Sequence, residues 1–552
     1  MLRDAAIALS LANLCLLRVW SAVLDPGGNF NYLKAPPSPT LVAAVLIIAV
    51  LLAGVVWGAL RVENRPRHRL SRGLARALLV LFVLTALNSL FVQVALYLGP
   101  ASRPAVLYFV VAALALVSLL AWPRWFVSTG KNLALILSPF VLLLCAQAGW
   151  VLATQSGLRA AYADQAPAPL LPVKNSPAPR LLWLVFDEMD QRLTFEQRPA
   201  GVELPELDRL RRQALSASHA YPPAPWTTLT MPALISGRLV SEAKLVRADE
   251  LLLTWNANGE TVEWSSQANV FSQARELGFN SALVGVVIPY CRIIGESLTD
   301  CSWAEPSWWI FPPLEETFKE QLFWSLNGLV RLLPFADALG VTIGPSPEQI
   351  RINRWHKLLG IYRTTLDRTA RLATRPELSL VLVHWPIPHP PGIYDRWRND
   401  FSFDRQRNYF DNFELMDRTV GEIRAALERA HLWDGTTVLI TGDHSWRPTV
   451  WRGKSGLLAE EEAFADRTDH RVPFVLKTAG QTESLAYDAP FNTVLSHDLV
   501  LALLRGEVSD PEGVVAWIDQ RRQSGEGAQT PSPICGPRHQ WYGSPPPDLP
   551  CE

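Results

Sequence analysis

The sequence lacks an excess of either charge: 51 basic and 52 acidic residues give a formal net charge of -1 over 552 residues. Such a balance gives no basis for nucleic acid binding, which depends on many lysine and arginine side chains. The chain is also too long for one hydrophobic core, so we expect at least two domains.

Acidic residues are scarce in the first 160 residues, which hold only Asp4, Asp25 and Glu63. Apolar segments without acidic residues are typical of a membrane region. We therefore expect residues 1–160 to form a transmembrane anchor of about five helices. The segments are Ala5–Leu24, Thr40–Leu60, Ala75–Leu98, Ala105–Trp122 and Leu133–Thr154.

A small-x-small cleavage site is missing after the first apolar segment, and the connection to the second segment is short. A cleavable signal peptide is the alternative interpretation of this segment, and these two features disfavour it. Arg18 interrupts the segment, but an arginine near one end of a helix can reach the membrane interface.

Arginines are concentrated in the second connection between the predicted helices. Residues 61–72 carry five of them, and Arg124 and Lys131 flank the fourth connection. The first and third connections hold only Lys34 and Arg103. The positive-inside bias places connections two and four in the cytoplasm. We therefore expect a multi-pass protein of the inner (plasma) membrane whose later residues lie on the periplasmic or extracellular side.

The six cysteines include no CxxC pair, which disfavours a zinc–thiolate site. Two of them lie in apolar segments, and the other four belong to the part expected outside the cytoplasm. Four cysteines allow three pairings, and the short separations favour Cys291–Cys301 and Cys535–Cys551 in an oxidising compartment.

The composition after the anchor predicts a linker, one main domain and a tail. Residues 161–179 form a semi-extended Pro/Ala linker, and residues 524–552 form a loose tail rich in Pro and Gly. Between them, residues 180–523 contain helix–strand units such as Val270–Gly278 followed by Ser281–Val287, which predict a doubly wound α/β sheet. The aromatic-rich stretch Trp303–Gly344 is either ordinary core or an apolar surface against the membrane or a lipid substrate.

The apolar run Leu181–Phe186 ends abruptly in Asp187, Glu188 and Asp190. A run without alternation predicts a strand covered on both faces, as in the middle of a parallel sheet. Open α/β sheets bind ligands at the carboxyl ends of such strands. Carboxylate oxygens there suit a divalent cation, whereas an acidic turn without a ligand is the alternative.

A proline-rich loop leads into a short apolar helix that begins near Thr227 and is followed by Gly237. A hydroxyl at the amino terminus of a helix lies beside free backbone N–H groups, which can hold a phosphate-like anion. Thr227 is therefore a candidate nucleophile, although an N-capping role is equally compatible with the pattern. Thr228 and Thr230 are the neighbours that could take its place.

Two further motifs follow predicted strands. His384 and His389 lie on a proline-stiffened loop, an arrangement that favours a role in a site over simple packing. Asp443 and His444 follow a strand and a glycine, and such an adjacent pair is a compact set of metal ligands. His470 comes shortly before a further strand.

In this order the motifs resemble the alkaline phosphatase superfamily, and within it the sulfatase-like membrane enzymes, including the lipid A phosphoethanolamine transferases and the lipoteichoic acid synthases. The resemblance covers about Arg180–Arg505. The matching motifs are Asp187-Glu188, Thr227-x-x-Thr230-x-Pro232 with Gly237, His384-x-x-x-x-His389-x-Pro391, Gly442-Asp443-His444 and Arg471-Val472-Pro473.

The resemblance implies a five-helix transmembrane bundle followed by an alkaline-phosphatase-like doubly wound catalytic domain. It further implies phosphoryl or substituted-phosphoryl (phosphoethanolamine-like) transfer through Thr227. A divalent metal, zinc first and Mn, Mg or Ca as alternatives, would be bound by Asp187 and/or Glu188, together with Asp443 and His444.

The same resemblance implies that His384, His389 and His470 hold phosphate oxygens, protonate the leaving alcohol or bind a second ion. The expected substrate is a membrane lipid or a membrane-linked envelope glycan. Asp190 is expected near the metal without touching it.

Some features depart from this family pattern. The Cys/Ser-x-Pro-x-Arg motif of the sulfatases is absent, which disfavours sulfate ester hydrolysis. The cysteine framework of the phosphoethanolamine transferases is not visible, and His470 stands one residue earlier than their histidine. A phosphoester or phosphodiester hydrolase is the alternative function, and a non-catalytic membrane protein on a degenerate fold is a remote one.

Overall fold

The computed structural model describes thirteen parts of the chain. They are residues 1–24, 39–64, 69–98, 113–115, 117–161, 163–173, 179–304, 317–330, 332–333, 347–403, 408–454, 456–467 and 469–525.

The amino-terminal part is helical. Its helices are Leu2–Cys15, Leu17–Leu24, Pro39–Glu63, Arg69–Leu98, Pro123–Ile136 and Pro139–Ala161. Among the described helices, Pro39–Glu63 and Arg69–Val94 are long and apolar enough to cross a membrane. The pair Pro123–Ile136 and Pro139–Thr154, bent by 46°, would make a third span if it is one broken helix.

The predicted count of five membrane helices is therefore not confirmed. The first predicted segment is divided at Leu16 into helices of 14 and 8 residues. The fourth, Ala105–Trp122, lies largely outside the described residues. In the fifth, Pro139 begins a new helix, because proline fits the first turn of a helix but not its interior.

The main domain is built on β-strands, which we number along the chain. They are β1 Leu181–Asp187, β2 Leu215–Ala217, β3 Ala220–Tyr221, β4 Val240–Arg247, β5 Glu250–Trp255, β6 Thr261–Glu263, β7 Asn280–Val286, β8 Asp300–Ala304, β9 Leu378–Pro388, β10 Tyr394–Asp395, β11 Asp400–Phe401, β12 Thr437–Gly442, β13 Phe474–Lys477, β14 Leu485–Tyr487 and β15 Phe491–Asn492.

Helices accompany these strands throughout the domain. The α-helices are Pro205–Arg211, Thr227–Ser236, Val270–Glu276, Tyr290–Ile293, Phe318–Val330, Pro347–Ala373, Tyr409–Arg429, Pro448–Lys454, Ala459–Glu462, Ser496–Arg505 and Pro511–Gln523. A short π-helix spans Arg192–Glu196, and 3₁₀ turns span Trp264–Ser266, Gly295–Ser297 and Thr493–Leu495.

The largest sheet has eight strands in the order β14-β2-β13-β12-β1-β9-β7-β8. β1 lies between β12 and β9 and is parallel to both, with Val185 between Thr441 and His384. All seven residues of β1 are buried. The prediction of an inner strand in a largely parallel sheet is therefore confirmed, and β13 is the strand that runs antiparallel to its neighbours.

Each face of the sheet is covered by its own hydrophobic core. Leu181, Trp183 and Val185 belong to one core, together with residues of the helices Thr227–Ser236 and Ser496–Arg505. The residues of β1 between them belong to the other core, which includes parts of the helices Pro347–Ala373 and Tyr409–Arg429. Because successive side chains of a strand point to opposite faces, β1 is buried on both. The doubly wound α/β fold is thus confirmed.

A disulfide and a helix contact both bear on the predictions made from the sequence. Cys291 and Cys301 form the predicted disulfide, whereas the second predicted pair, Cys535–Cys551, lies outside the described residues. Within the stretch Trp303–Gly344, the helix Phe318–Val330 packs against the amino-terminal helices, with Leu322, Trp324 and Leu326 on their apolar cluster. This part of the stretch therefore packs against the amino-terminal helices, and a contact with the membrane or with a lipid substrate stays a prediction.

The predicted linker is only partly described. Its residues 163–173 contain no helix or strand and bind the main domain through backbone groups. The amide of Leu171 donates to Asn280 Oδ1 at 2.8 Å, and Asn280 Nδ2 donates back to the Leu171 carbonyl at 2.9 Å. The boundaries of the linker and of the tail stay predictions.

Candidate metal centre and nucleophile

Three predicted metal ligands meet where β1 and β12 end. Asp187 is the last residue of β1, and Asp443 and His444 follow β12 directly. Since the two strands are parallel neighbours, their carboxyl ends lie at the same edge of the sheet. One possible ligand atom of each residue lies within 4.8 Å of the others, and all three side chains are buried.

The polar atoms of this cluster fit a divalent cation. His444 Nε2 lies 3.6 Å from Asp187 Oδ1 and 3.4 Å from Asp443 Oδ2. Asp187 Oδ1 is buried and has no hydrogen-bond partner among the residues that the structure describes. An unpartnered buried carboxylate oxygen is costly unless a cation binds it. One imidazole nitrogen and carboxylate oxygens form a donor set that zinc and manganese both accept.

The protonation behaviour of the cluster points the same way. Burial, and then the charges of Asp443 and Glu188, raise the pKa of Asp187 well above its ordinary range. Burial raises the pKa of Asp443 to about 7. Burial, and then the charge of Arg447, lower the pKa of His444 well below its ordinary value. His444 is therefore neutral, as a metal ligand must be, and a bound cation would stabilise the two ionised carboxylates.

Thr227 lies beside this cluster. The helix begins at Thr227, and Trp226 occupies the N-cap position, where its side chain makes no capping hydrogen bond. The Thr227 hydroxyl donates to Asp443 Oδ2 at 2.7 Å and lies 3.3 Å from His444 Nε2. The partner of the Thr227 hydroxyl is thus a side chain and not a backbone N–H group of the helix. The geometry therefore favours the nucleophile interpretation over the N-cap interpretation.

The neighbouring threonines have other surroundings. The Thr230 hydroxyl is buried and donates to the carbonyl of Ala224 at 2.8 Å. Thr228 is buried, whereas Thr227 is half-buried. The helix ends at Gly237, whose φ of 70° is the left-handed conformation that favours glycine. Thr227 is thus the threonine of the three whose hydroxyl contacts the candidate ligands.

Glu188 has different partners from Asp187, because it follows the end of β1 and its φ of 66° turns the chain away from the strand direction. Its carboxylate accepts from Arg447 Nε at 2.8 Å and from Trp451 Nε1 at 2.8 Å. Its backbone amide donates to Asp443 Oδ1 at 3.0 Å. Of the two alternatives left open by the sequence, the geometry favours Asp187 as the ligand. A ligand role for Glu188 stays a prediction that this arrangement does not support.

The two predicted histidines of the β9 region lie near the cluster but outside it. His384 is fully buried, and its Nδ1 lies 3.0 Å from the Tyr290 hydroxyl. Burial lowers its pKa to about 3, although the Val286 carbonyl acts in the opposite direction. The backbone amide of His389 donates to the Asp187 carbonyl at 3.1 Å, and its ring packs edge-on against Trp451.

His470 and Asp190 complete the set of sequence candidates. His470 is half-buried, has a φ of 60°, and its pKa is lowered by burial. It is not part of the three-residue ligand group among the described residues. Asp190 Oδ1 accepts from the Leu193 amide at 3.0 Å, and burial raises its pKa to about 7. The roles of both residues stay predictions.

Sequence reasoning missed Arg447 and Tyr290. The Arg447 guanidinium pairs with Glu188 and stacks over the Trp226 ring at 4.6 Å. Its position four residues after Asp443, in the loop that follows β12, was the available signal. Tyr290 contacts the site residue His384, which is distant in sequence. No local sequence pattern predicts this contact.

Comparison with known proteins agrees with this geometry. Residues 362–505 match the family model described as Sulfatase. A stretch of 119 residues is 28% identical to ectonucleotide pyrophosphatase/phosphodiesterase family member 7 of Rattus norvegicus, covering 22% of this chain and 25% of that protein. The chain therefore spans about a quarter of the length of the curated relative it matches.

Two solved structures are among those to which the chain shows a distant similarity. A protein in the alkaline phosphatase superfamily from Vibrio parahaemolyticus is 12% identical, with 63% of this chain and 73% of that chain covered and a TM-score of 0.35. Murine ectonucleotide pyrophosphatase/phosphodiesterase 5 is 10% identical, with 59% and 95% covered and a TM-score of 0.34.

The matched segment contains Asp443, His444, His384, His389 and His470. The chain is therefore similar, over residues 362–505, to the proteins described by the Sulfatase family model.

Proposed function

We propose that the chain is a membrane-anchored, metal-dependent phosphoryl or substituted-phosphoryl transferase with Thr227 as its nucleophile. One observation carries the proposal: the Thr227 hydroxyl is hydrogen-bonded to Asp443, beside the unpartnered Oδ1 of Asp187. A threonine hydroxyl is a weak nucleophile unless it is activated, and this arrangement offers both a proton acceptor and a cation site.

In the first half-reaction, Thr227 Oγ1 attacks the phosphorus of the donor. The bond from Oγ1 to phosphorus forms, the bond from phosphorus to the donor alcohol breaks, and that alcohol leaves with a proton. The Thr227 proton lies on the hydrogen bond to Asp443, which is the acceptor that the geometry provides. In the second half-reaction an acceptor alcohol takes the phosphoryl group and frees Thr227.

A divalent cation bound by Asp187, Asp443 and His444 would lower the pKa of the Thr227 hydroxyl and balance charge on the attacked phosphoryl group. The free N–H groups at the start of the helix Thr227–Ser236 would hold phosphoryl oxygens. His384, His389 and His470 would bind further oxygens or give a proton to the leaving alcohol.

The proposed substrate is a membrane lipid or a membrane-linked glycan. Two described helices that are apolar enough to span a membrane support this choice. We propose a multi-pass inner-membrane location with the catalytic domain on the periplasmic or extracellular side, on the basis of the arginine distribution.

A hydrolase is the second candidate, and the sequence match favours considering it. The matched rat protein is named a pyrophosphatase/phosphodiesterase. In the hydrolase reaction, water replaces the acceptor alcohol in the second half-reaction, and the site residues keep the same roles. Sulfate ester hydrolysis is disfavoured because threonine occupies the nucleophile position.

The test uses the full chain in detergent with added zinc or manganese. p-Nitrophenyl phosphate, bis(p-nitrophenyl) phosphate and p-nitrophenyl sulfate are compared, followed by vesicles containing phosphatidylethanolamine, with and without an added acceptor alcohol. We expect turnover of a phosphoester and a phosphoryl-containing product that depends on the acceptor. Products independent of the acceptor would favour the hydrolase, and turnover of the sulfate ester alone would overturn the proposal.

A further inference from the structure

Tyr290 and His384 form a closed pair beside the candidate metal centre. Both side chains are fully buried. The Tyr290 hydroxyl lies 3.0 Å from His384 Nδ1, and the two rings meet edge to face. Tyr290 fits closely over β7, because a Cβ at Gly285 would lie 2.5 Å from the Tyr290 ring. The position of the hydroxyl is therefore fixed by packing.

The neighbouring disulfide restrains the same segment. Cys291, the residue after Tyr290, is bonded to Cys301 on β8. β8 pairs in parallel with β7, which precedes Tyr290 in the chain. Tyr290 is thus connected to the sheet before it in the chain by β7 and after it by the disulfide to β8.

The His384 side chain lies on the face of the sheet that the helix Thr227–Ser236 covers. His384 is paired in register with Val185. The Val185 side chain belongs to the same core as the helix that begins at Thr227. His384 Nε2 is buried and makes no close hydrogen bond in the described part of the chain, although the Val286 carbonyl interacts with the His384 ring and opposes the lowering of its pKa. Besides burial, the charges of Asp443 and Asp187 raise the pKa of Tyr290, which is the expected effect of nearby carboxylates.

The hydrogen bond determines which nitrogen carries the proton. For the described residues, His384 Nδ1 is the one partner found for the Tyr290 hydroxyl. With Nδ1 protonated, the buried Tyr290 hydroxyl proton would have no acceptor, which is costly. We therefore assign the hydroxyl as the donor and Nδ1 as the acceptor, which leaves the Nε2 proton available for a substrate oxygen. The proton of the neutral imidazole then lies on Nε2.

We propose that Tyr290 is a positioning residue that holds His384 in the Nε2–H tautomer, so that Nε2 donates a hydrogen bond to an anionic oxygen of the substrate bound at Thr227. This inference rests on the proposed function and assigns one role among those that the sequence left open for His384. A neutral donor of this kind neither accepts the nucleophile's proton nor binds a second ion through Nε2.

The first test observes the tautomer itself. Solid-state ¹⁵N spectra of histidine-labelled protein are recorded in lipid, and the His384 signals are those missing in His384→Gln. We expect a protonated Nε2 and an unprotonated Nδ1, and a perturbed Nε2 signal when inorganic phosphate is added. A proton on Nδ1, or a His384 signal that phosphate leaves unchanged, would overturn the inference.

The second test measures bis(p-nitrophenyl) phosphate turnover by Tyr290→Phe. This variant keeps the ring and removes the hydroxyl, and we expect kcat/KM to fall about tenfold to a hundredfold, the range seen when partners that orient site histidines are lost. Tyr362→Phe is the matched control, because the Tyr362 hydroxyl is also buried and bonds Thr419 in the other core. We expect that control to keep full activity.

A double variant separates positioning from general stability. If Tyr290 acts through His384, then Tyr290→Phe should add little to the loss already caused by His384→Ala. Independent, additive losses would overturn the positioning role. If the wild-type protein turns over none of the phosphoesters, the proposed function fails, while the ¹⁵N spectra still decide the tautomer and the response to phosphate.

Discussion

Glu188 and Arg447 form an ion pair next to the candidate metal centre, with Arg447 Nη2 2.7 Å from Glu188 Oε1. The carboxylate is completely buried, whereas the arginine side chain is 17% exposed. The pair joins the loop after β1 to the loop after β12, since the Glu188 amide also binds Asp443. Glu188 therefore contacts the loop after β12 in two ways, through its carboxylate and through its backbone amide.

Glu188→Gln should destabilise the fold and leave the metal site intact. Removing one partner of a buried pair leaves the other charge uncompensated, at a cost of about 3 kcal/mol in the free energy of unfolding. Glu206→Gln is the matched control, because Glu206 pairs with Arg424 at a half-buried surface and should cost less than about 1 kcal/mol. Denaturant unfolding and metal analysis measure both effects. If Glu188→Gln loses its bound metal, Glu188 would have to be counted among the metal ligands.

Asp187→Ala, Asp443→Ala and His444→Ala should each lower the metal content of the purified protein and abolish turnover. The reason is that each removes one member of a three-residue donor set. Metal analysis of folded samples is the measurement. Full metal occupancy in all three variants would contradict the site assignment.

Thr227→Ala should lose activity by several orders of magnitude and keep bound metal, because the nucleophilic oxygen is removed. Thr227→Ser should retain part of the activity, since serine keeps the oxygen and loses a methyl group. Mass spectrometry of substrate-trapped protein should find the added phosphoryl group on Thr227. A modification on Thr228 would move the nucleophile by one residue, and none on Thr227, Thr228 or Thr230 would favour direct attack by water.

The stability of the fold should fall as pH rises towards about 7. Burial raises the pKa of Asp417 from 3.8 to about 7 in the folded protein. Between these values the folded state keeps a proton that the unfolded state has released, so unfolding becomes more favourable with rising pH, by at most roughly 4 kcal/mol. Asp417→Asn cannot titrate and should flatten this part of the pH profile. Equal slopes in wild type and variant would contradict the expected pKa.

Orientation in the membrane can be tested with reporters fused after Arg180. The arginine-rich connection of residues 61–72 predicts that the fusion point lies outside the cytoplasm. A reporter that is active only outside should therefore be active, and a matched reporter that works only in the cytoplasm should be silent. The reverse result would contradict both the helix count and the orientation.

The sequence predicted the elements that depend on local patterns. The uninterrupted run of β1 gave its place inside the sheet, and the Asp443–His444 pair after a strand gave the ligand edge. Both follow from burial and from the geometry of parallel strands. The choice between Asp187 and Glu188 could not be made, because it depends on the backbone turn that follows β1, where Glu188 has a φ of 66°.

Long-range contacts account for what was missed. Tyr290 reaches His384 only when β7 and β9 pair, and Arg447 reaches Glu188 only when β1 and β12 pair. The five-helix count is not confirmed for a different reason. Pro139 and the break at Leu16 divide apolar segments that hydropathy alone reads as continuous.

The helix Phe318–Val330 has a practical consequence for handling the protein. A truncated chain that starts at Arg180 would retain this helix without the membrane helices that cover Leu322, Trp324 and Leu326. Uncovered side chains of this kind form a sticky surface that promotes aggregation in water. Soluble preparations of the catalytic domain would therefore need polar replacements on this helix, or a detergent, even though every predicted membrane segment had been removed.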